Sequence, residues 1–525
     1  MLIVTASEMQ AMDRMTIEQF DLPGRLLMEN AGRGAARCFL KRIYPQAPGT
    51  VGVLAGRGNN GGDGFVIARC LAQRGIDVRV FLLSGQSRVQ GDAAANLRLL
   101  PRWGVPLIEI PDTDHFSRHT QEMQRCASWI DALLGTGLTA EVTGYFRQVI
   151  EFVNALGRPV LAVDIPSGLN ADTGHPCGAC VRAAATATFG YPKIGHVVFP
   201  GVQFCGTLDV IDIGIPPAVP QSVDPRQMLI TAQHVRPLIA RRAPDSHKGS
   251  HGHVLVVAGA PGKTGAAVLA SAAALRAGAG LVSLGIAGCL NPVVEAHTIE
   301  AMTLPLPDAG DGLLTLAAFD TIAAAAAGKR VLALGPGLGT APATRDLVRR
   351  ILREIDLPLV LDADGLNNVA GEAEAAAARP APLVLTPHPG EAARLIGCSA
   401  DAVQRDRLKA ARRIAADFEA VVVLKGARTV VAEPGGRVWI NPTGNPGMAS
   451  GGMGDVLTGV IAGLLAQGCT PLSAAQAGTY IHGAAADRLA RERPYGYLAG
   501  EVLDAVPFAI RDTLADPPAP FELQW

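Results

Sequence analysis

Short runs of Val, Ile and Leu that stop on Gly or Asp alternate with longer Ala/Leu/Arg stretches along this 525-residue chain, and no other feature constrains its fold as much. A run that is apolar on both faces suits a buried parallel strand, and the stretches between such runs are long enough for crossover helices. The first series is 50–56, 77–83, 128–134 and 159–164; the second is 253–259, 331–335, 357–362, 383–386 and 420–425. Between them lies Ile215-Pro-Pro-Ala-Val-Pro-Gln-Ser-Val-Asp-Pro225, where proline density argues against continuous sheet or helix. The pattern predicts two α/β domains, 1–220 and 226–525. In open parallel sheets ligands collect at the C-terminal strand ends, so the residues just after each run are the functional candidates.

Charge and cysteine usage narrow the setting. With 46 basic against 47 acidic residues, nothing favours nucleic acid or an acidic membrane surface as a partner. Nine scattered cysteines do not form a disulfide framework and point to a reducing compartment. The N-terminus lacks the basic and apolar regions of a signal peptide, and no apolar run is long enough to span a bilayer. A cytoplasmic homo-oligomer acting on small molecules, without nucleic acid or membrane partners, is expected.

The first run leads into GRGNNGGDG at 56–64, which satisfies the G-x-G-x-x-G pattern between a strand and a helix-like stretch. The acidic residue that holds a dinucleotide ribose about 20 positions further on is missing, because the second run ends Leu82-Leu-Ser-Gly85. A tight turn without ligand therefore stays open, as does a cap role for either Asp that closes a later run. Asp131 precedes Gly135-Thr-Gly-Leu-Thr-Ala-Glu141, and Asp164 precedes Ile165-Pro-Ser-Gly168. Two carboxylates, the Ser167 hydroxyl and the amides of Asn59 and Asn60 could converge above one sheet, offering hard oxygen ligands and a proton-transfer group.

These three segments resemble the epimerase domain of the bifunctional NAD(P)H-hydrate repair enzymes over roughly residues 1–215. The resemblance implies a Rossmann-like three-layer α/β/α domain that interconverts the two epimers of hydrated NAD(P)H, the compounds NADHX and NADPHX. It implies substrate contacts at Asn59, Asn60, Gly61, Gly62, Asp63, Gly135, Thr136, Gly137, Leu138, Thr139, Ala140, Glu141 and Asp164, and potassium at Asn60, Asp131 and Ser167. Asp164 is the expected proton-transfer residue.

The second half opens on a decoy. Ala260-Pro-Gly-Lys-Thr264 ends like a P-loop, but Val257 stands where its first glycine is required. Strand ends then bring Gly335-Pro-Gly-Leu-Gly339, Asp362-Ala-Asp-Gly365, Thr386-Pro-His-Pro-Gly-Glu391 and Lys425-Gly-Ala-Arg-Thr429, and Glu433-Pro-Gly-Gly436 reads as a hairpin turn. Gly451-Gly-Met-Gly-Asp455 precedes an apolar helical stretch, where free N–H groups can hold phosphate while Asp455 serves as base. This set resembles the ribokinase-like fold, and specifically the ADP-dependent NAD(P)H-hydrate dehydratases, over about residues 226–510. The resemblance implies ADP at Lys425, Gly426, Ala427, Arg428, Thr429 and Gly454, the hydrated cofactor at Ala266, Gly337, His388 and Asp455, and Mg2+ on the nucleotide.

Other patterns carry less. His175-Pro-Cys-Gly-Ala-Cys180 lacks a second cysteine pair, so buried thiols are favoured over zinc, and the histidines at 247, 251 and 253 read as a solvated domain entry. Against the repair reading stand a ribokinase-like vitamin or sugar kinase with an appended nucleotide-binding domain, and a regulatory module that senses a nucleotide.

Overall fold

The computed structural model describes residues 1–515 and the backbone of 522–524. The chain divides into two compact units, one chiefly Leu2–Gln227 and the other chiefly Met228–Ala519.

Seven strands build the sheet of the N-terminal unit: β1 (Val51–Ala55), β2 (Val78–Leu82), β3 (Leu107–Glu109), β4 (Ser128–Ala132), β5 (Val160–Val163), β6 (Ala185–Phe189) and β7 (Thr207–Ile211). All neighbours are parallel, in the order β7-β6-β5-β4-β1-β2-β3, and Glu522–Gln524 pairs beside β7 to complete an eight-stranded sheet. Strands β1, β4 and β5 are buried along their whole length, β4 with Ser128 and Asp131 among its buried residues. One apolar layer joins Phe39, Phe65, Val66 and Leu71 over one face, and another joins Phe81, Trp129, Val149 and Val153 over the other. The helix Ala6–Gln19 starts at a capping box in which Glu8 N–H donates to Thr5 Oγ1 and Thr5 N–H donates to a Glu8 carboxylate oxygen.

In the C-terminal unit β8 (His253–Val257), β9 (Leu281–Ala287), β10 (Met302–Leu306), β11 (Val331–Leu334), β12 (Leu359–Leu361), β13 (Leu383–Leu385), β14 (Val421–Leu424), β15 (Val430–Ala432) and β16 (Val438–Ile440) run in the order β16-β15-β14-β13-β12-β11-β8-β9-β10. The pairings are parallel from β10 to β14, and β14-β15-β16 are antiparallel, with Glu433-Pro-Gly-Gly436 as the turn between the last two. Helices Thr264–Arg276 and Met453–Ala466 lie so close that a Cβ on Gly459 would stand 2.1 Å from the Ala270 carbonyl oxygen. Only glycine allows that approach.

Every run read as a strand is one, and several strands escaped that reading. Ala-Thr-Ala-Thr-Phe in β6 lacks the Val/Ile/Leu signature but is fully buried. Strand β10 lies at the sheet edge, half-exposed and carrying Pro305, a residue that edges tolerate. The linker also contains a short helix, Ala218–Val223, despite Pro220. That proline occupies the third helical position, where its missing N–H costs no intrahelical bond.

Candidate active sites

Both sheets reverse their winding once. In the first, the chain runs from β1 toward β3 and then resumes at β4 on the other side of β1; in the second, it runs from β8 toward β10 and resumes at β11 beside β8. Such a reversal opens a crevice between the two crossover directions at the C-terminal strand ends. The loops flanking these crevices are 56–60 with 133–137, and 258–263 with 335–339.

At the first reversal, Gly56 N–H donates to the Ala132 carbonyl at 3.0 Å, holding the β1 loop against β4. A Cβ on Gly61 would lie 2.0 Å from the Gly56 carbonyl oxygen, so the turn into helix Asn59–Ala72 closes only around glycine. Asp131 is fully buried at the end of β4. It accepts from Ser167 Oγ at 2.6 Å and from Ser167 N–H at 2.8 Å, and Ser167 Oγ in turn accepts from Leu134 N–H at 2.8 Å. Burial raises the Asp131 carboxyl to about 6 against the opposing pull of the Ser167 hydrogen bonds. In the first turn of helix Asn59–Ala72, both polar atoms of the Asn60 amide are buried with no hydrogen-bond partner. A buried amide without partners is costly, and a bound water or ion is one way to satisfy it.

The cleft at this end has a volume of about 1210 Å³ and is lined by Asn59, Asn60, Asp63, Gly135, Thr136, Gly137 and Asp164 among the expected contacts, and also by Asp13 and Lys193. Leu138, Thr139, Ala140 and Glu141 continue the Gly135 loop, and the Glu141 side chain packs near Gly178. Asp164 takes a left-handed backbone, φ 63°, which turns its carboxylate off the strand line. Its Oδ1 accepts from Lys193 Nζ, from Thr188 Oγ1 at 3.0 Å and from Phe189 N–H at 3.2 Å. Burial pushes the Asp164 carboxyl up, but the Lys193 ammonium outweighs it and holds the group below the usual carboxylate range. Lys193 is itself wholly buried, donating also to the Phe189 carbonyl, and its backbone N–H donates to His196 Nδ1. Burial and the Lys193 charge depress His196 to about 3, so that ring stays neutral. Asp63 is driven well above the ordinary carboxylate value by burial and by the neighbouring Asp164 and Asp13 charges.

At the second reversal, Gly259 N–H donates to the Pro336 carbonyl at 2.8 Å. A Cβ on Gly337 (φ 62°) would stand 3.3 Å from Ala266 Cβ, so these two expected substrate contacts are neighbours. Asp362, buried at the end of β12, accepts from Lys425 Nζ at 2.5 Å and from Thr458 Oγ1 at 2.7 Å. Glu391 lies 3.8 Å from the same ammonium. Burial would depress Lys425, yet Asp362 and Glu391 raise it above its ordinary value, so it is a fixed cation. Gly454 follows the left-handed Gly452 at the start of helix Met453–Ala466, and a Cβ there would sit 3.3 Å from Lys425 Nζ. Asp455, in the first helical turn, is raised to about 6 by burial and by repulsion from Asp362, against the pull of Lys425. His388 caps helix Pro389–Ile396, its Nδ1 accepting from Gly390 N–H at 3.0 Å, with its side chain half-exposed. In the 425–429 loop Gly426 has φ 138°, Thr429 Oγ1 donates to the Gly426 carbonyl, and Arg428 donates to the Pro442 carbonyl at 2.7 Å, bracing the loop. Ala427 stands exposed between them.

A family model described as NAD(P)H-hydrate dehydratase matches residues 254–507, and one described as YjeF-related protein N-terminus matches 24–195. The bifunctional NAD(P)H-hydrate repair enzyme Nnr of Moorella thermoacetica is 44% identical over 514 residues, covering 98% of this chain and 97% of its own. The chain belongs to the bifunctional NAD(P)H-hydrate repair enzyme family. A second member, from Salinibacter ruber, is 42% identical over 96% of this chain and 95% of its own. Among solved structures, the ADP/ATP-dependent NAD(P)H-hydrate dehydratase of Bacillus subtilis is 34% identical, with a TM-score of 0.47 over 55% of this chain and 98% of that one.

Within this repair-enzyme framework, motif reading passed over Lys193, Asp13 and the pairing of Asp362 with Lys425. Lys193 follows β6, whose Ala/Thr pattern hid the strand and so the strand end. Asp13 shares one helix face with Met9 and Ile17 at four-residue spacing, a stripe that also reads as ordinary amphipathic packing. All nine cysteines are free, and no cluster of three or more His, Cys, Asp or Glu side chains suited to a metal occurs among the described residues. No described helix is long and apolar enough to cross a membrane.

Proposed function

We propose that the chain repairs hydrated NADH and NADPH in two steps, with residues 1–220 interconverting the R and S epimers and residues 226–525 dehydrating the S epimer at the expense of ADP, giving AMP and phosphate. Of the second span, residues 516–521 and 525 lie outside the described residues. The observation that carries this reading is the presence in one chain of two crevices of different chemistry. One has a carboxylate and ammonium pair in a large cleft; the other has a cation and a base at a glycine-rich helix start.

In the first crevice Asn59 to Asp63 and Gly135 to Glu141 frame the dinucleotide, and Asp164 faces the hydrated ring as a carboxylate. The orphaned Asn60 amide suits a cation, because its oxygen is a hard donor of the kind that the Asp131 carboxylate and the Ser167 hydroxyl also offer. Asn60, Asp131 and Ser167 would hold potassium, which when bound supplies a fixed positive charge beside the cofactor loop.

In the second crevice Ala266, Gly337 and His388 border the hydrated ring, while Lys425 to Thr429 and Gly454 hold ADP. The Lys425 ammonium and the N–H groups opening helix Met453–Ala466 meet the phosphates. Asp455 takes the proton of the ring hydroxyl, whose oxygen attacks the terminal phosphorus as AMP leaves. The phosphate then departs from the ring carbon as the double bond forms, so hydroxide never has to leave as such. Positioning and charge stabilisation supply most of the rate. Magnesium travels on the nucleotide, and the carboxylates at these strand ends are donors of the kind it takes. A cytoplasmic setting, supported by the free thiols, and a homo-oligomeric state complete the reading.

The test supplies both hydrate epimers with ADP, Mg2+ and K+, and follows reduced cofactor by its absorbance. Complete recovery of NADH is expected. Recovery that stops when one epimer is spent removes the first activity, and a phosphorylated vitamin or sugar appearing instead would favour a kinase.

A further inference from the structure

Reversible inversion at a hydrated ring carbon needs a proton delivered to the departing oxygen and a proton taken from the water that replaces it. Asp164 is poorly suited to the delivery. Its Oδ1 already accepts three hydrogen bonds, and Lys193 keeps it ionised. A second group must carry the acid role, and the cleft wall opposite in sequence supplies one.

The helix Ala6–Gln19 turns Met9, Asp13 and Ile17 toward the cleft, one residue per turn. Asp13 is thus a carboxyl between two apolar side chains, in mid-helix, where it caps nothing. Its Oδ1 is buried and has no hydrogen-bond partner. It lines the same cleft as Asp63, Asp164 and Lys193, and it feels the charges of the last two. Structural carboxylates are satisfied; one that lines a ligand cleft and keeps an oxygen unpartnered calls for a partner that arrives with the ligand.

We infer that Asp13 is the proton donor of the epimerisation and Asp164 its proton acceptor, an assignment that rests on the epimerase reading above. In the forward step the ring C–O bond breaks with its electron pair on oxygen, the Asp13 proton passes to that oxygen, and water leaves. The ring nitrogen lone pair forms a C=N bond to the vacated carbon. Water then adds from the other face, the π pair returns to nitrogen, and the proton lost by that water goes to Asp164. Exchange with solvent through the open cleft returns the proton to Asp13. Environments that push two carboxyls apart make such a division of labour possible. Asp13 is raised to about 6 by burial first, with Asp164 adding to it and Lys193 opposing, whereas Asp164 is held low. Asp63, raised as well, adds no positive charge that would strip the Asp13 proton.

The experiment uses the full chain with potassium chloride and without ADP, converting purified R epimer of hydrated NADH to S, followed by chromatography against an enzyme-free blank. Asp13→Asn is expected to lower kcat by roughly 100-fold or more, the scale of general acid catalysis, with KM within about twofold. The parent kcat/KM should fall as pH rises through about 6, because Asp13 must be protonated, and the Asn variant should lose that limb. Asn kcat within about threefold of the parent, or a kcat loss with the limb intact, overturns the assignment. Should Asp13→Asn fail to fold, Asp13→Glu decides: a displaced limb supports the assignment, and an unmoved one overturns it. A parent chain that does not interconvert the epimers overturns the functional reading and this assignment together, whereas an active parent with an equally active Asn variant overturns this assignment alone.

Discussion

The Lys425 ammonium lies 2.5 Å from Asp362 Oδ1, although 63 residues separate the two in the chain. The pair spans the C-terminal ends of β12 and β14, with β13 between them, and Thr458 satisfies the second carboxylate oxygen. It therefore does two things at once: it holds two strand ends in place, and it keeps a positive charge where phosphate must sit.

Breaking the pair from the cationic side leaves Asp362 buried and uncompensated. Lys425→Met is expected to destabilise the C-terminal unit by about 3–5 kcal/mol, the usual cost of orphaning one member of a buried ion pair. Chemical denaturation followed by fluorescence would measure it. Equal stability of parent and variant would remove the pair as a stabilising contact.

Removing the base tests the chemistry more directly. Asp455→Asn keeps the size of the side chain but cannot accept the hydroxyl proton, so ADP-dependent dehydration of the S epimer should fall by roughly 100- to 10,000-fold. Interconversion of the epimers should be untouched. Dehydration at the parent rate would rule out the assigned role.

The pH profile of dehydration follows from the same residue. Asp455 is raised to about 6 by burial and by Asp362, and it acts when ionised, so kcat/KM should be level above pH 6 and fall about tenfold per unit below it. Lys425 pulls this group down; in Lys425→Met the acid limb should move to higher pH. A limb near pH 4 would show that a different group titrates.

Lys193 plays the corresponding part for Asp164. Losing its ammonium removes the largest influence that lowers the Asp164 carboxyl, so in Lys193→Met the acid limb of epimerisation should rise toward neutrality. Asp164 contributes stability that is present above its unfolded value and fades as pH falls through its lowered folded value. The acid unfolding of the N-terminal unit should therefore begin at a higher pH in the variant. A pH titration of far-UV ellipticity would report it.

Potassium should change the sign of one substitution. The Asn60 amide is buried without partners, so Asn60→Ala in lithium or choline chloride is expected to be neutral or stabilising, by up to about 1–3 kcal/mol. In saturating potassium chloride the parent gains binding free energy that the variant lacks, and the order should invert. Thermal unfolding in matched salts would show it, and melting points that ignore the cation would remove Asn60 from the proposed ion site.

Much of the architecture was legible because apolar runs ending in Gly or Asp mark buried parallel strands with little ambiguity. That pattern alone places both glycine loops, Asp131, Asp164 and Lys425 at strand ends. It missed β6, where alternating Ala and Thr are buried without the usual β-branched aliphatics, and with β6 it missed Lys193. It also passed over Asp13, since a carboxylate on a helix looks like a solvated face until the helix is docked.

What the chain order alone determined is therefore the list of strand ends and the loops that follow them, because local composition sets strand, turn and helix start. Which charges meet was decided only by tertiary structure. Crossover connections set β12 and β14 one strand apart in the same parallel sheet, and β5 and β6 side by side, so that Asp362 finds Lys425 and Asp164 finds Lys193. Desolvation then does the rest: the same carboxyl type becomes a held anion where a buried ammonium faces it, and a proton carrier where apolar side chains do.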